Sequence, residues 1–115
     1  MENTAAQRIA ALNDQFRQGG ITSKIPGRMF ATADVSALPV EEQLLVWRRV
    51  TSFNAFIPDN DPHGEHDFGS FEISGERFFW KIDYYADSAM EYGSEDPADP
   101  CQCFRVLTVM LASEY

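Results

Sequence analysis

The sequence predicts an α+β fold, two N-terminal helices packed on a small, mainly antiparallel β-sheet, and three observations carry that prediction. The first third shows apolar residues at helical spacing. The stretch FGSFEISGERFFWKIDYY alternates as two strands around a tight turn. CFRVLTVML is apolar on both alternations apart from Arg105 and Thr108, as a strand covered on both faces or lying centrally is. With 115 residues, 44% of them hydrophobic and 13% aromatic, the chain is long enough to bury a core without metal or disulfide, and a single domain over residues 1–115 is expected.

Thr4-Ala5-Ala6-Gln7 has the form of a capping box, in which a hydroxyl accepts from the first-turn amides and a Gln reaches back. Ile9, Leu12 and Phe16 then recur on one stripe, and Gly19-Gly20 ends the pattern. Residues 21–27 read as a loop and 28–33 as a short strand. Pro39 followed by Glu41 and Glu42 marks a second helix start, since proline lacks only an amide left unpaired there and acids favour the positive end of the dipole. That helix is expected to run to about Phe53. Its stripe Val40, Leu44, Trp47 and Val50 is read as core, packing through Leu44 and Trp47.

Residues 58–67, PDNDPHGEHD, are rich in turn formers and read as a surface loop. In the hairpin that follows, a two-residue turn at Ser74-Gly75 sets Phe71 opposite Phe78 and Glu72 opposite Arg77. Phe71, Phe78, Trp80 and Ile82 are then expected on one buried face. Residues 86–100 form a second acidic loop. Cys101 and Cys103, two apart at a strand start, point to opposite faces and are read as two reduced thiols.

Charge is the most informative feature for function. Residues 1–58 hold six Lys/Arg against five acids, while residues 59–115 hold three against thirteen; the balances of +1 and −10 sum to the net −9. Such a field repels nucleic acid and acidic membranes and attracts cationic surfaces. The expected partner is a basic protein surface, with no direct nucleic acid and no membrane. The acidic N-terminal start lacks the apolar run of a secretory signal, and Val106 to Ala112 is too short to span a bilayer, so a soluble cytoplasmic protein is expected.

No catalytic set and no cofactor is read from the residues. Asp59, Asp61 and Gly64 stand where a calcium loop places two ligands and its turn glycine, but Pro62 stiffens the loop, His63 replaces an oxygen ligand and Ser70 stands in place of the bidentate Glu. Asp61, His63, His66 and Asp67 are the alternative, a transition-metal set, against the plainer reading of a polar turn. Lys81, Asp83, Glu72 and Arg77 are read as alternating charges on a wet strand face. No serine sits in a nucleophile elbow and no glycine-rich phosphate loop is present. Phe79 and Tyr85 stand among acids, unlike the aromatics of an RNA-binding sheet.

The segments PDNDPHGEHDFG, GERFFWKIDYY, YGSEDPADP and RVLTVMLASEY resemble a small uncharacterised bacterial family, a domain of unknown function found mainly in alphaproteobacteria and often carried on plasmids or other mobile elements beside antirestriction genes. The resemblance covers residues 5–115 and is strongest from Phe56 onward. It brings no catalytic set to transfer; what it implies is a setting of mobile DNA and conflict with host defence. Charge and setting together give the leading expectation, a non-enzymatic inhibitor of anti-CRISPR or antirestriction type that mimics nucleic acid. Its partner-binding residues would be Asp59, Asp61, Asp87, Glu91, Glu95, Asp96 and Asp99. The alternatives are a metal-dependent enzyme or metal-binding regulator using the Asp59 to Asp67 loop, and an accessory subunit docking by its hairpin.

Overall fold

The capping box at Thr4 forms as the sequence predicts. Thr4 Oγ1 accepts from the Gln7 amide at 3.1 Å, and Gln7 Oε1 accepts from the Thr4 amide at 2.8 Å. In the computed structural model, which describes residues 3–115, helix α1 follows over Ala5–Gly19, and Gly20 takes a φ of 55° that glycine tolerates without strain. Strand β1 spans Gly27–Ala31, the short helix α2 Ala33–Ser36 and helix α3 Val40–Ser52. Strands β2 (Phe68–Ile73), β3 (Glu76–Tyr85) and β4 (Phe104–Leu111) complete the sheet, whose order is β1-β4-β3-β2.

The fold is α+β. β2 with β3 and β3 with β4 pair antiparallel, while β1 joins β4 parallel, so the sheet is mixed. The hairpin register is the expected one, with Phe71 opposite Phe78 and Glu72 opposite Arg77. Its two-residue turn places Ser74 at φ 52° and Gly75 at φ 83°, the pair of positive values a type I′ turn requires. β4 lies between β1 and β3, and both its alternations are buried, Leu107 and Val109 on one and Val106 and Met110 on the other.

One alternation of the sheet, including Phe71, Phe78, Trp80, Ile82, Leu107 and Val109, forms the core with Phe16, Val35, Val46 and Val50 from the helices. Trp80 is wholly buried at its centre. Its indole faces Gly69 across the β2–β3 pair, where an added Cβ would run into Trp80 Nε1. Cys101 is exposed, Cys103 is buried, and both are free thiols.

The stripe read on α3 is corrected by the structure. Val40 is 67% and Leu44 64% exposed, whereas Val46 and Val50 are buried and Trp47 is half-buried against the core. The inward stripe is Gln43, Val46, Trp47 and Val50. The physical reason is Gln43, whose Nε2 donates to Leu38 O at 2.7 Å and Ser36 O at 3.0 Å. Holding the last carbonyl of α2 and one just beyond it turns this polar residue inward and rotates Val40 and Leu44 out to solvent.

Candidate functional site

The sheet register brings the two acidic loops to the same end of the molecule. Residues 53–67 lead into the start of β2, and residues 86–103 join the end of β3 to the start of β4, where Tyr85 pairs with Phe104. Phe68 pairs with Lys81, and the Ile82 amide donates to Asp67 O, so both loops leave the same end of the sheet.

A buried polar joint ties the loops together. Arg105, on the inward alternation of β4, donates through Nε to Asn13 Oδ1 at 2.6 Å and through Nη2 to Pro97 O at 2.5 Å. Asn13 Nδ2 in turn donates to Glu65 O and Tyr84 Oη, both at 2.9 Å, and Tyr84 Oη donates to Glu65 Oε1 at 2.9 Å. Asn13 and Arg105 are wholly buried. Burial pushes the Arg105 guanidinium below its ordinary pKa and drives the Tyr84 phenol far above its own. The arginine has no ion-pair partner among the described residues and rests instead on the Asn13 amide, a backbone carbonyl and the Tyr84 ring, 5.4 Å away.

A second network holds the first loop to α1. Arg17 donates to Val50 O and Thr51 O at the end of α3 and pairs with Asp14 at 3.0 Å. Asp14 also faces His66 Nδ1 at 3.0 Å, which orients the imidazole; the ring stacks on Phe56 with centroids 3.9 Å apart. His66 carries a φ of 57°, and its other nitrogen lies 3.8 Å from Asp61 Oδ2.

Asp61 is only 8% exposed, and its Oδ1 accepts from the Glu65 and His66 amides, both at 3.1 Å. Its carboxylate is therefore committed to shaping the loop. Asp59 and His63 are exposed. Asp67 is half-buried, and its carboxyl is pushed above the usual range by burial first and by the nearby Glu65 charge second. Among the described residues, no three His, Cys, Asp or Glu side chains converge as a metal-binding group.

In the second loop the acids divide into two kinds. Asp87, Asp96 and Asp99 cap local turns: Asp87 Oδ1 accepts from Ala89 N, Asp96 Oδ1 from Ala98 N, and Asp99 from Cys101 N and Gln102 Nε2. Those last two bonds hold the Asp99 carboxyl below its ordinary pKa. Glu91 and Glu95 are exposed and make no hydrogen bond or ion pair among the described residues.

Sequence reasoning located the acids and missed the joint that positions them. Its signal was present: Asn13 and Arg17 follow Ile9 at intervals of four on the apolar side of α1, and Arg105 interrupts an apolar strand. A polar residue in an apolar stripe is an invitation to look for a buried partner.

No helix among the described residues is long and apolar enough to cross a membrane. No curated protein and no solved structure matches the chain. A family model described as "Protein of unknown function (DUF3768)" matches residues 31–114, the stretch that holds both acidic loops, α3 and strands β2 to β4. That match covers well over half of the sequence, and the chain belongs to the DUF3768 family of proteins of unknown function.

Proposed function

We propose that this chain is a non-enzymatic acidic binding protein that docks on the basic, nucleic-acid-binding surface of another protein, acting in the cytoplasm as an anti-defence inhibitor of anti-CRISPR or antirestriction type. The observation that carries the reading is the shared position of the two acidic loops. Both emerge at one end of the sheet and are fastened to the Asn13–Arg105 joint, so their charge is presented together on an ordered support. Carboxylates held in this way address a preformed basic groove through the same Coulomb steering that nucleic acid uses. Glu91 and Glu95, free of local bonds, and Asp59, Asp87 and Asp96 are the exposed acids; Asp61 and Asp99 shape the loops that carry them.

The setting that the resemblance implies would add to this reading: a gene often carried on plasmids or other mobile elements meets host nucleases on entry, and an acidic protein inhibitor suits that encounter. The test is capture from a host lysate on the immobilised chain at low and high salt, with the bound protein identified. A basic nucleic-acid-handling protein retained at low salt and released at high salt supports the proposal. Retention of acidic or neutral partners only, indifferent to salt, argues against it.

A further inference from the structure

Helix α3 carries two opposed stripes of the same spacing. Gln43, Val46, Trp47 and Val50 face the core at i, i+3, i+4 and i+7; Glu41, Leu44, Leu45 and Arg48 repeat that spacing on the opposite side, and all four are exposed. Leu44 and Leu45 are 64% and 45% exposed, adjoining Val40. Neither the Glu41 carboxylate nor the Arg48 guanidinium makes a hydrogen bond or ion pair among the described residues.

This arrangement is self-complementary. Glu41 lies three residues before Leu44 and Arg48 three residues after Leu45, so the charges sit at equal distances, with opposite sign, on either side of the leucine pair. A two-fold axis through the leucine pair, with the helices antiparallel, sets Leu44 against Leu45 of a second copy. It also sets Glu41 against Arg48 twice over. That is the relation an isologous interface requires, in which residue i meets j and j meets i. Within one helix the two charges are seven residues, roughly 10 Å, apart and cannot pair with each other. The charge of the helix itself permits the contact as well, because α3 carries Glu41 and Glu42 against Arg48 and Arg49 and is neutral over its length.

We infer that the outer face of α3 is a homodimer interface, two copies of this chain packing antiparallel through Leu44 and Leu45 with reciprocal Glu41–Arg48 ion pairs. The dimer would present two acidic ends to its surroundings. The contact is confined to one helix face, smaller than a standard interface, so the association is reversible and concentration-dependent.

Sedimentation of the full chain from ~10 µM to 1 mM reads it directly. The expected result is a monomer–dimer equilibrium that Leu44→Glu/Leu45→Glu weakens by about tenfold or more, with the far-ultraviolet circular dichroism unchanged because both side chains are exposed. Glu41→Arg and Arg48→Glu should each weaken self-association, and an equimolar mixture of the two single variants should restore it, since each then meets the opposite charge across the axis. Rescue by mixing cannot arise within one chain. A chain that stays monomeric over the whole range overturns the inference, including where α3 captures some other protein. So does a dimer indifferent to the leucine variant, and so does a mixture that associates no better than either variant alone.

Discussion

Arg105 Nε lies 2.6 Å from Asn13 Oδ1 across 92 residues of sequence, and both side chains are wholly buried. Asn13 is thus the meeting point of the two acidic loops, taking one bond from the side chain that holds Pro97 O and giving one to Glu65 O.

Removing this amide leaves the Arg105 Nε without its partner and frees Glu65 O and the Tyr84 hydroxyl. Asn13→Ala is expected to cost about 2–4 kcal/mol, measured by denaturant unfolding, because a buried charged donor loses its acceptor. Hydrogen exchange should quicken in residues 61–67 and 94–103 together. Quickening in one segment alone would separate the loops and remove the joint from the account.

The centre of the core makes a matched pair of predictions. Trp80→Ala should cost about 3–5 kcal/mol, since the side chain is fully buried and makes edge contacts with Phe53 and Phe56 at centroid distances of 5.6 and 6.1 Å. Gly69→Ala, a gain of one methyl group, should also destabilise by about 1–3 kcal/mol or more, because its Cβ would meet the indole. A melting temperature unchanged in either variant would show that β2 and β3 do not pack as described.

Asp67 gives a pH dependence with a definite sign. Burial and the Glu65 charge raise its folded-state pKa above the unfolded value, so between those two values the native state holds more protons than the unfolded one and stability falls as pH rises through the window. Asp67→Asn removes the cost of the buried charge. The variant should melt higher than wild type at neutral pH and lose that advantage below about pH 3, where the carboxyl is protonated in both states. A constant difference across the range would assign the effect to a lost contact instead.

The parts of this fold that were legible in the sequence are those where local chemistry and tertiary packing agree. The Thr4–Gln7 box, the Ser74–Gly75 turn and the register of Phe71 on Phe78 are short-range features whose partners lie within a few residues or across one hairpin. The parallel pairing of β1 with β4 joins segments at opposite ends of the chain, Gly27 with Arg105 and Ala31 with Val109, and no local pattern announces it. The orientation of α3 failed for a related reason. Two apolar stripes compete on that helix, and the decision rests on the hydrogen bonds of Gln43 to Ser36 and Leu38. In the candidate site the acids were visible as composition, whereas the capping role of Asp61 and the burial of Asn13, Arg17 and Arg105 depend on contacts 33 to 92 residues away, apart from the Asp61 turn itself.

The contact proposed for this chain is between the charge of its acidic loops and a basic partner. Glu91 and Glu95 are the residues to change, because neither carboxylate supports the fold, whereas Asp61, Asp87, Asp96 and Asp99 each hold a turn. The most direct measurement is the affinity and association rate of the captured partner for Glu91→Lys/Glu95→Lys at physiological salt, with duplex DNA as competitor. Affinity lower by about an order of magnitude, chiefly through slower association, together with displacement of the wild-type chain by DNA, is the predicted result. Unchanged affinity in the charge-reversed chain, or wild-type binding that DNA leaves untouched, would contradict the account.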